Sequence, residues 1–143
     1  MTNPIITPDG TKEWRVDGKP HRLDGPAIEY ADGTKMWFVN GRLNRLDGPA
    51  VEWADGGRDW SVDGMLHRLD GPASERPRLG KFWYVDGKLH REDGPAREHP
   101  DGRKQWLVND VEITADVEAW LSETGYTLPL DEDAQVHFRL RFR

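Results

Sequence analysis

Cysteine is missing altogether from the 143 residues, which rules out disulfides and thiolate metal ligands and permits a reducing cytosol. Apolar residues make up only 36% of the chain, partly offset by seven Trp, and no apolar run approaches the ~20 residues of a membrane-spanning helix. Met1 to Gly10 carries neither a charged leader nor an apolar stretch, so the expectation is a cytoplasmic protein without secretion signal or membrane partner. A basic excess is lacking too. The net charge of -6 and pI near 5.3 argue against a general nucleic-acid binder, and the charge is too small for a nucleic-acid mimic. No phosphate-cradling, dinucleotide-binding, zinc-protease or nucleophile-elbow motif appears, and Ser61, Ser74 and Ser122 lie in no recognisable nucleophile setting. The expectation is a protein that is not an enzyme and uses no cofactor.

What is present is repetition. Asp-Gly-Pro-Ala starts at Asp24, Asp47, Asp70 and Asp93, always 23 residues apart. Trp14, Trp37, Trp60, Trp83 and Trp106 share one register, as do Val16, Val39, Val62, Val85 and Val108. A cation stands two positions before each Trp, at Lys12, Lys35, Arg58, Lys81 and Lys104; Arg22, Arg45, Arg68 and Arg91 follow, and Glu29, Glu52, Glu75 and Glu98 close the units. Four copies and a half occupy residues 9–110, after a lead-in over 1–8. A unit this short cannot bury a core alone, so neighbours must stack into a quasi-one-dimensional array.

Each copy reads as antiparallel strands. Lys-x-Trp-x-Val alternates with a pleat, and the flanking Asp-Gly and Asn-Gly pairs supply the positive φ of tight hairpins. Pro within the Gly-Pro step cannot donate to a ladder, which implies a bend. The predicted fold is mainly β: an elongated antiparallel meander of hairpins, about ten strands and about 45 Å long at ~4.8 Å per strand. Equivalent Trp residues then lie about 10 Å apart, beyond the reach of paired rings, and Pro-Ala from the intervening strand is the expected filler. The five Trp and the four Arg form the predicted structural ladder, with Arg22 and its equivalents bridging to Asp24 or Glu29 and theirs.

The same spacing disposes of two chemical readings. Asp24 with Glu29 resembles a carboxylate pair, but a reaction needs one asymmetric site and this set recurs four times. His21, His67 and His90 recur in register with Asn44 in the second copy; adjacent copies lie about 10 Å apart, too far to share an ion. No metal site is expected, and a hydrogen-bonded structural role is.

Where the copies differ, binding has freedom to act. The variable apolar residues Tyr30, Met36, Phe38, Trp53, Phe82 and Tyr84 are the candidate contacts for a protein partner; alternatively they receive the C-terminal segment. A two-residue turn after Tyr30 would place it with Trp37, and a three-residue bulged turn with Met36 and Phe38. Arg76, Arg78 and Arg97, with Arg139 and Arg141 of the tail, are candidates for holding a nucleotide or another anion. Residues 111–143 form the cap or a dimerisation segment. A helix carrying Val117, Trp120 and Leu121 starts at an N-cap Thr114 and stops at Gly125, and a strand of alternating Val136, Phe138, Leu140 and Phe142 follows. An exposed edge would allow a homodimer.

The 23-residue period, the Trp register and the Gly-x-x-His step resemble the MORN repeat. The His-Arg-x-Asp-Gly-Pro-Ala form is similar to divergent MORN-like repeats of bacterial, phage and large-virus proteins. Gly10, Gly33 and Gly56 stand where the usual MORN Tyr precedes the Trp, and Arg22, Arg68 and Arg91 replace the Gly after His, so the lipid-linked and kinase-linked roles of eukaryotic members do not carry over. The resemblance implies a sheet of hairpins that scaffolds or sequesters partner proteins, with phage or bacterial inhibitors of host defence or toxin proteins as the form to expect.

Overall fold

The computed structural model describes residues 3–143; of the expected 1–8 lead-in, Met1 and Thr2 lie outside the described residues. Ten short strands from Ile5–Ile6 to Lys104–Gln105 follow one another in a single antiparallel sheet, in strict chain order. Five separate two-stranded hairpins flank it, one per copy, at Arg15–Val16 with Lys19–Pro20 and the equivalents. The array therefore is the predicted meander, in which the first half of each Trp-bearing segment joins the main sheet and the second half turns back as its own hairpin.

Two kinds of turn alternate. Asp17-Gly18, Asn40-Gly41, Asp63-Gly64 and Asp86-Gly87 have both residues at positive φ, from 50° to 81°, the two-residue turn whose twist matches the strands. The other turn has three residues: Ile28 pairs with Met36 and the Tyr30 amide donates to the Thr34 carbonyl, leaving Ala31, Asp32 and Gly33 as the loop. Asp32 Oδ1 accepts the Thr34 amide there. The bulged register is thus the one adopted, and Tyr30 shares a face with Met36. The irregular junction Pro77-Arg78-Leu79 keeps the same loop length. Gly80 is obligatory in it, since a Cβ would lie 2.1 Å from the Glu98 carbonyl oxygen.

The pleat sorts the sheet into two faces. On one, Lys12, Glu29, Lys35, Glu52, Arg58, Glu75, Lys81, Glu98 and Lys104 are successive cross-strand partners, a row of strictly alternating charge. Such opposite-charge pairs contribute roughly 0.2–1 kcal/mol each and fix register. Two residues along, on the same face, Trp14, Ala27, Trp37, Ala50 and their successors alternate, with the amides of Trp14, Trp37, Trp60 and Trp83 donating to the facing Ala carbonyls at 2.7 to 2.8 Å. Ala27, Ala50, Ala73 and Ala96 are fully buried. Trp and buried Ala alternate along this row, with an addition that spacing did not reveal. Each Arg folds back over the indole of its own copy, with Cζ 3.8 to 4.0 Å from the ring centroid at Trp14, Trp37, Trp60 and Trp83.

The tail departs from expectation at its end. Helix α1 (Thr114–Thr124) carries the predicted stripe and ends at Gly125, φ 74°. Its N-cap is Ile113 rather than Thr114, because the Thr114 hydroxyl is already accepting the Trp106 amide. The predicted terminal strand is instead helix α2 (Glu132–Phe142). Asp131 caps it by accepting the Ala134 amide, Glu132 and Asp133 open it, and Arg139 and Arg141 lie in the last turn, each suited to the helix dipole. Ala134, Phe138 and Phe142, four residues apart, supply the face that packs, so the helical period overrides the alternating one. The tail closes the array over Trp106 and Val108, joined by Val117, Trp120, Leu130 and Phe138. It does not cover Tyr30, Met36, Phe38 or Trp53.

Candidate functional site

The junction between copies is built from backbone groups that the turns leave unpaired. His21 Nδ1 accepts the Asn40 amide at 2.9 Å, His67 the Asp86 amide at 3.0 Å and His90 the Asn109 amide at 3.2 Å. Asn44 Oδ1 accepts the Asp63 amide at 3.0 Å in the same place. His and Asn interchange because each presents one acceptor at that reach. No group of three or more His, Asp or Glu among the described residues could hold a metal ion.

The Arg-Leu-Asp-Gly segments after these His or Asn residues form loops that stand in a row on the indole face. Within each, Arg Nε donates to the Asp two residues on, at 2.7 to 3.2 Å, and Nη1 donates to the Pro carbonyl four residues on, at 3.0 to 3.1 Å. The guanidinium is sandwiched between indole and glycine. A Cβ on Gly25, Gly48, Gly71 or Gly94 would come within 2.6 to 3.0 Å of the Arg Cζ, which explains the glycine of the repeated tag without any unusual φ.

Between neighbouring loops lie three equivalent clefts, of about 590, 760 and 610 Å³. Their floors are Trp37 with Val39, Trp60 with Val62, and Trp83 with Val85. Their rims carry Leu23, Leu46 and Leu69, which are 81%, 85% and 80% exposed. Three leucines held in solvent, one per copy and in register, contribute little to the core. Sequence reading passed over them as consensus. The signal was the fourth copy, where Glu92 replaces Leu.

At Glu92 the chain covers its own array. Arg139 Nη1 lies 3.0 Å from Glu92 Oε2 and Arg143 Nη1 2.7 Å from Oε1, while the Leu130 amide donates to the Asp93 carbonyl. Burial pushes the Glu92 carboxyl up, but the Arg139 hydrogen bond, the Arg143 charge and the His90 hydrogen bond outweigh it and hold the group below the ordinary 4.5. Beyond this loop Trp106 has Thr114 where an Arg would stand, and Phe138 takes the place of the guanidinium, its centroid 5.4 Å from the indole.

Of the predicted contact residues, Tyr30 and Met36 share the opposite face, and most of the six are taken up by other side chains of the array. Met36 lies between Ile28 and Val51 in register, and Phe38 opposes Leu43. Tyr84 opposes Leu89 and, with Phe82, borders the cluster of Leu89, Ala96 and Leu107. Trp53 donates its indole N–H to Asp59, a buried carboxylate that also accepts from Ser74 Oγ at 2.7 Å and Arg76 Nη2 at 2.6 Å. Tyr30, at 39% exposure, is the most open of the six.

The candidate anion-binding arginines are not brought together. Arg76 is committed to Asp59 and stacks on Trp53 at 4.4 Å, and Arg78 sits in an exposed turn. Arg97 lies in register with Phe82 and Gln105, its Nε buried without a partner. Arg139 is on Glu92, and Arg141 lies exposed on α2. No helix among the described residues is long and apolar enough to cross a membrane.

No family model matches the chain. No curated protein and no solved structure matches it either.

Proposed function

We propose that the chain is a non-enzymatic, MORN-like protein-binding array that sequesters a partner protein along its row of loops. The observation that carries this reading is the register of Leu23, Leu46 and Leu69, each at least 80% exposed, on the rims of three equivalent clefts. Exposed apolar groups lined up on a rigid scaffold are a docking surface rather than packing. The chemistry-bearing groups support the same reading: the Arg and the Asp of the loops recur in all four copies and are engaged in holding their own loop, whereas a reaction needs one distinctive set. The concrete form is a phage or bacterial inhibitor that masks a host defence or toxin protein, motivated by the repetition and the lack of catalytic motifs in these residues.

Affinity capture with mass spectrometry tests the reading, using the wild-type chain beside a Leu23→Asp/Leu46→Asp/Leu69→Asp variant and a Phe38→Ala/Trp53→Ala/Tyr84→Ala variant. A protein enriched by the wild type and lost with the leucine variant supports the reading, and loss with the aromatic variant alone moves the contact to the opposite face. Tight binding of one nucleotide in calorimetry, with no protein enriched, overturns it in favour of an anion sponge.

A further inference from the structure

We infer that the three clefts act as one site for an amphipathic helix of the partner, lying along the array with an aliphatic side chain every seventh residue and Lys or Arg beside it. This rests on the protein-binding reading above and adds the partner's secondary structure, polarity and direction.

The array already accepts a helix at its last loop. There α2 lays Arg139 and Arg143 against Glu92 and its apolar side against the floor residues Trp106 and Val108. The rim residue is Glu only at this covered loop; at the loops that stay in solvent it is Leu. The self-covered position therefore shows that the floor takes the apolar side of a helix; its cations meet Glu92, whose place is Leu at the open loops, so a cation there has to meet the neighbouring Asp instead.

Spacing selects the secondary structure. Successive loops are two strands apart, about 9.6 Å. Seven residues of helix rise about 10.5 Å and return the side chain to nearly the same face. An extended chain covers about 10 Å in three residues, an odd step that turns the side chain to the opposite face. The α-helix offers equivalent side chains to all three clefts with a mismatch of about 1 Å per repeat, a β-strand does not, and a polyproline II segment, which returns a side chain about every 9.3 Å, is set aside because the element the array already holds at its last loop is the helix α2. A helix of about 18 to 21 residues spans the row.

Charge selects the polarity. Beside each rim leucine stands Asp24, Asp47 or Asp70, with side chains 60%, 89% and 87% exposed. Each already shares Oδ1 with its own Arg and remains largely in solvent, ready to meet a cation from outside. The net charge of -6 favours the same encounter.

The test is a titration of full-length protein with two helix-stabilised synthetic peptides of about 21 residues and identical composition. One carries Leu every seventh residue flanked by Arg, and the other carries Leu every fifth. The expected result is binding of the first peptide in fluorescence anisotropy, with affinity lower by about tenfold or more for the second. A Leu23→Ser/Leu46→Ser/Leu69→Ser variant, which removes the aliphatic groups without adding the carboxylate that receives cations at Glu92, is expected to lose about tenfold or more for the first peptide while its melting temperature is unchanged. Equal affinity for both peptides, or no effect of the variant, overturns the inference. So does a dimer in sedimentation that the variant abolishes, because the occupant is then a second copy of the chain. If the captured partner depends on the leucines while the seven-spaced peptide fails to bind, the helix is wrong and the protein-binding reading stands. If capture also ignores the leucines, both fail.

Discussion

Gly71→Ala should reverse the sign of its effect when Arg68 is removed. Gly71 does not adopt positive φ, so alanine fits the backbone, and restricting the unfolded chain would by itself stabilise by about 0.4–1 kcal/mol. The new Cβ, however, would lie 2.9 Å from Arg68 Cζ, so the guanidinium has to leave the indole of Trp60, from which it is 3.8 Å away. Displacement gives up a stacking worth about 0.5–1 kcal/mol, a charge-assisted bond to the Pro72 carbonyl worth about 1 kcal/mol, and the exposed Asp70 pair, worth between nothing and about 1 kcal/mol. The losses outweigh the gain, and Gly71→Ala should destabilise by about 1 kcal/mol, within the range of ordinary single substitutions. In an Arg68→Ala background the clash is gone, and the same substitution should be neutral or stabilising by about 0.5 kcal/mol. Urea denaturation of the four proteins of this cycle measures the reversal. Stabilisation by Gly71→Ala in both backgrounds would show that the guanidinium lid does not account for the repeated glycine.

Other junctions give further expectations. His67→Asn should leave stability within about 0.5 kcal/mol, because Asn44 already performs that role, whereas His67→Leu should cost about 1 kcal/mol by leaving the Asp86 amide without its acceptor, both read from denaturant midpoints. Phe138→Ala should cost about 3–5 kcal/mol, and hydrogen exchange should place the loss in the tail and the fifth copy, since repeats couple only to neighbours. Glu92 is held below its ordinary 4.5, so its contribution to docking α2 is complete above that value and fades as pH falls through the lower folded value. Exchange protection of α2 should weaken on acidification in that window, and Glu92→Gln should lack that component, starting from weaker protection at neutral pH.

The strands, turns and indole spacing were legible because each depends on local rules repeated five times, so that chance agreement averages out. Trp14 facing Ala27 and Trp37 facing Ala50 follow from strand spacing alone. The Arg lid was not legible, because it requires the loop after Arg22 to return across Trp14, a tertiary fact with no periodic signature. Helix α2 was misread since Val136, Phe138, Leu140 and Phe142 alternate while Ala134, Phe138 and Phe142 also keep helical spacing. With no strand edge taken up by residues 132–142, packing on Trp106 decided between them. The leucine row was invisible for a different reason. Within a consensus, a residue repeated for packing and one repeated for contact look alike, and only exposure separates Leu23 from Ala27.

Methyl NMR of the protein titrated with its captured partner tests the central claim most directly. Shifts confined to Leu23, Leu46 and Leu69 with Val39, Val62 and Val85 are the predicted result. Shifts confined to Ile28, Met36 and Val51, on the opposite face, would contradict it.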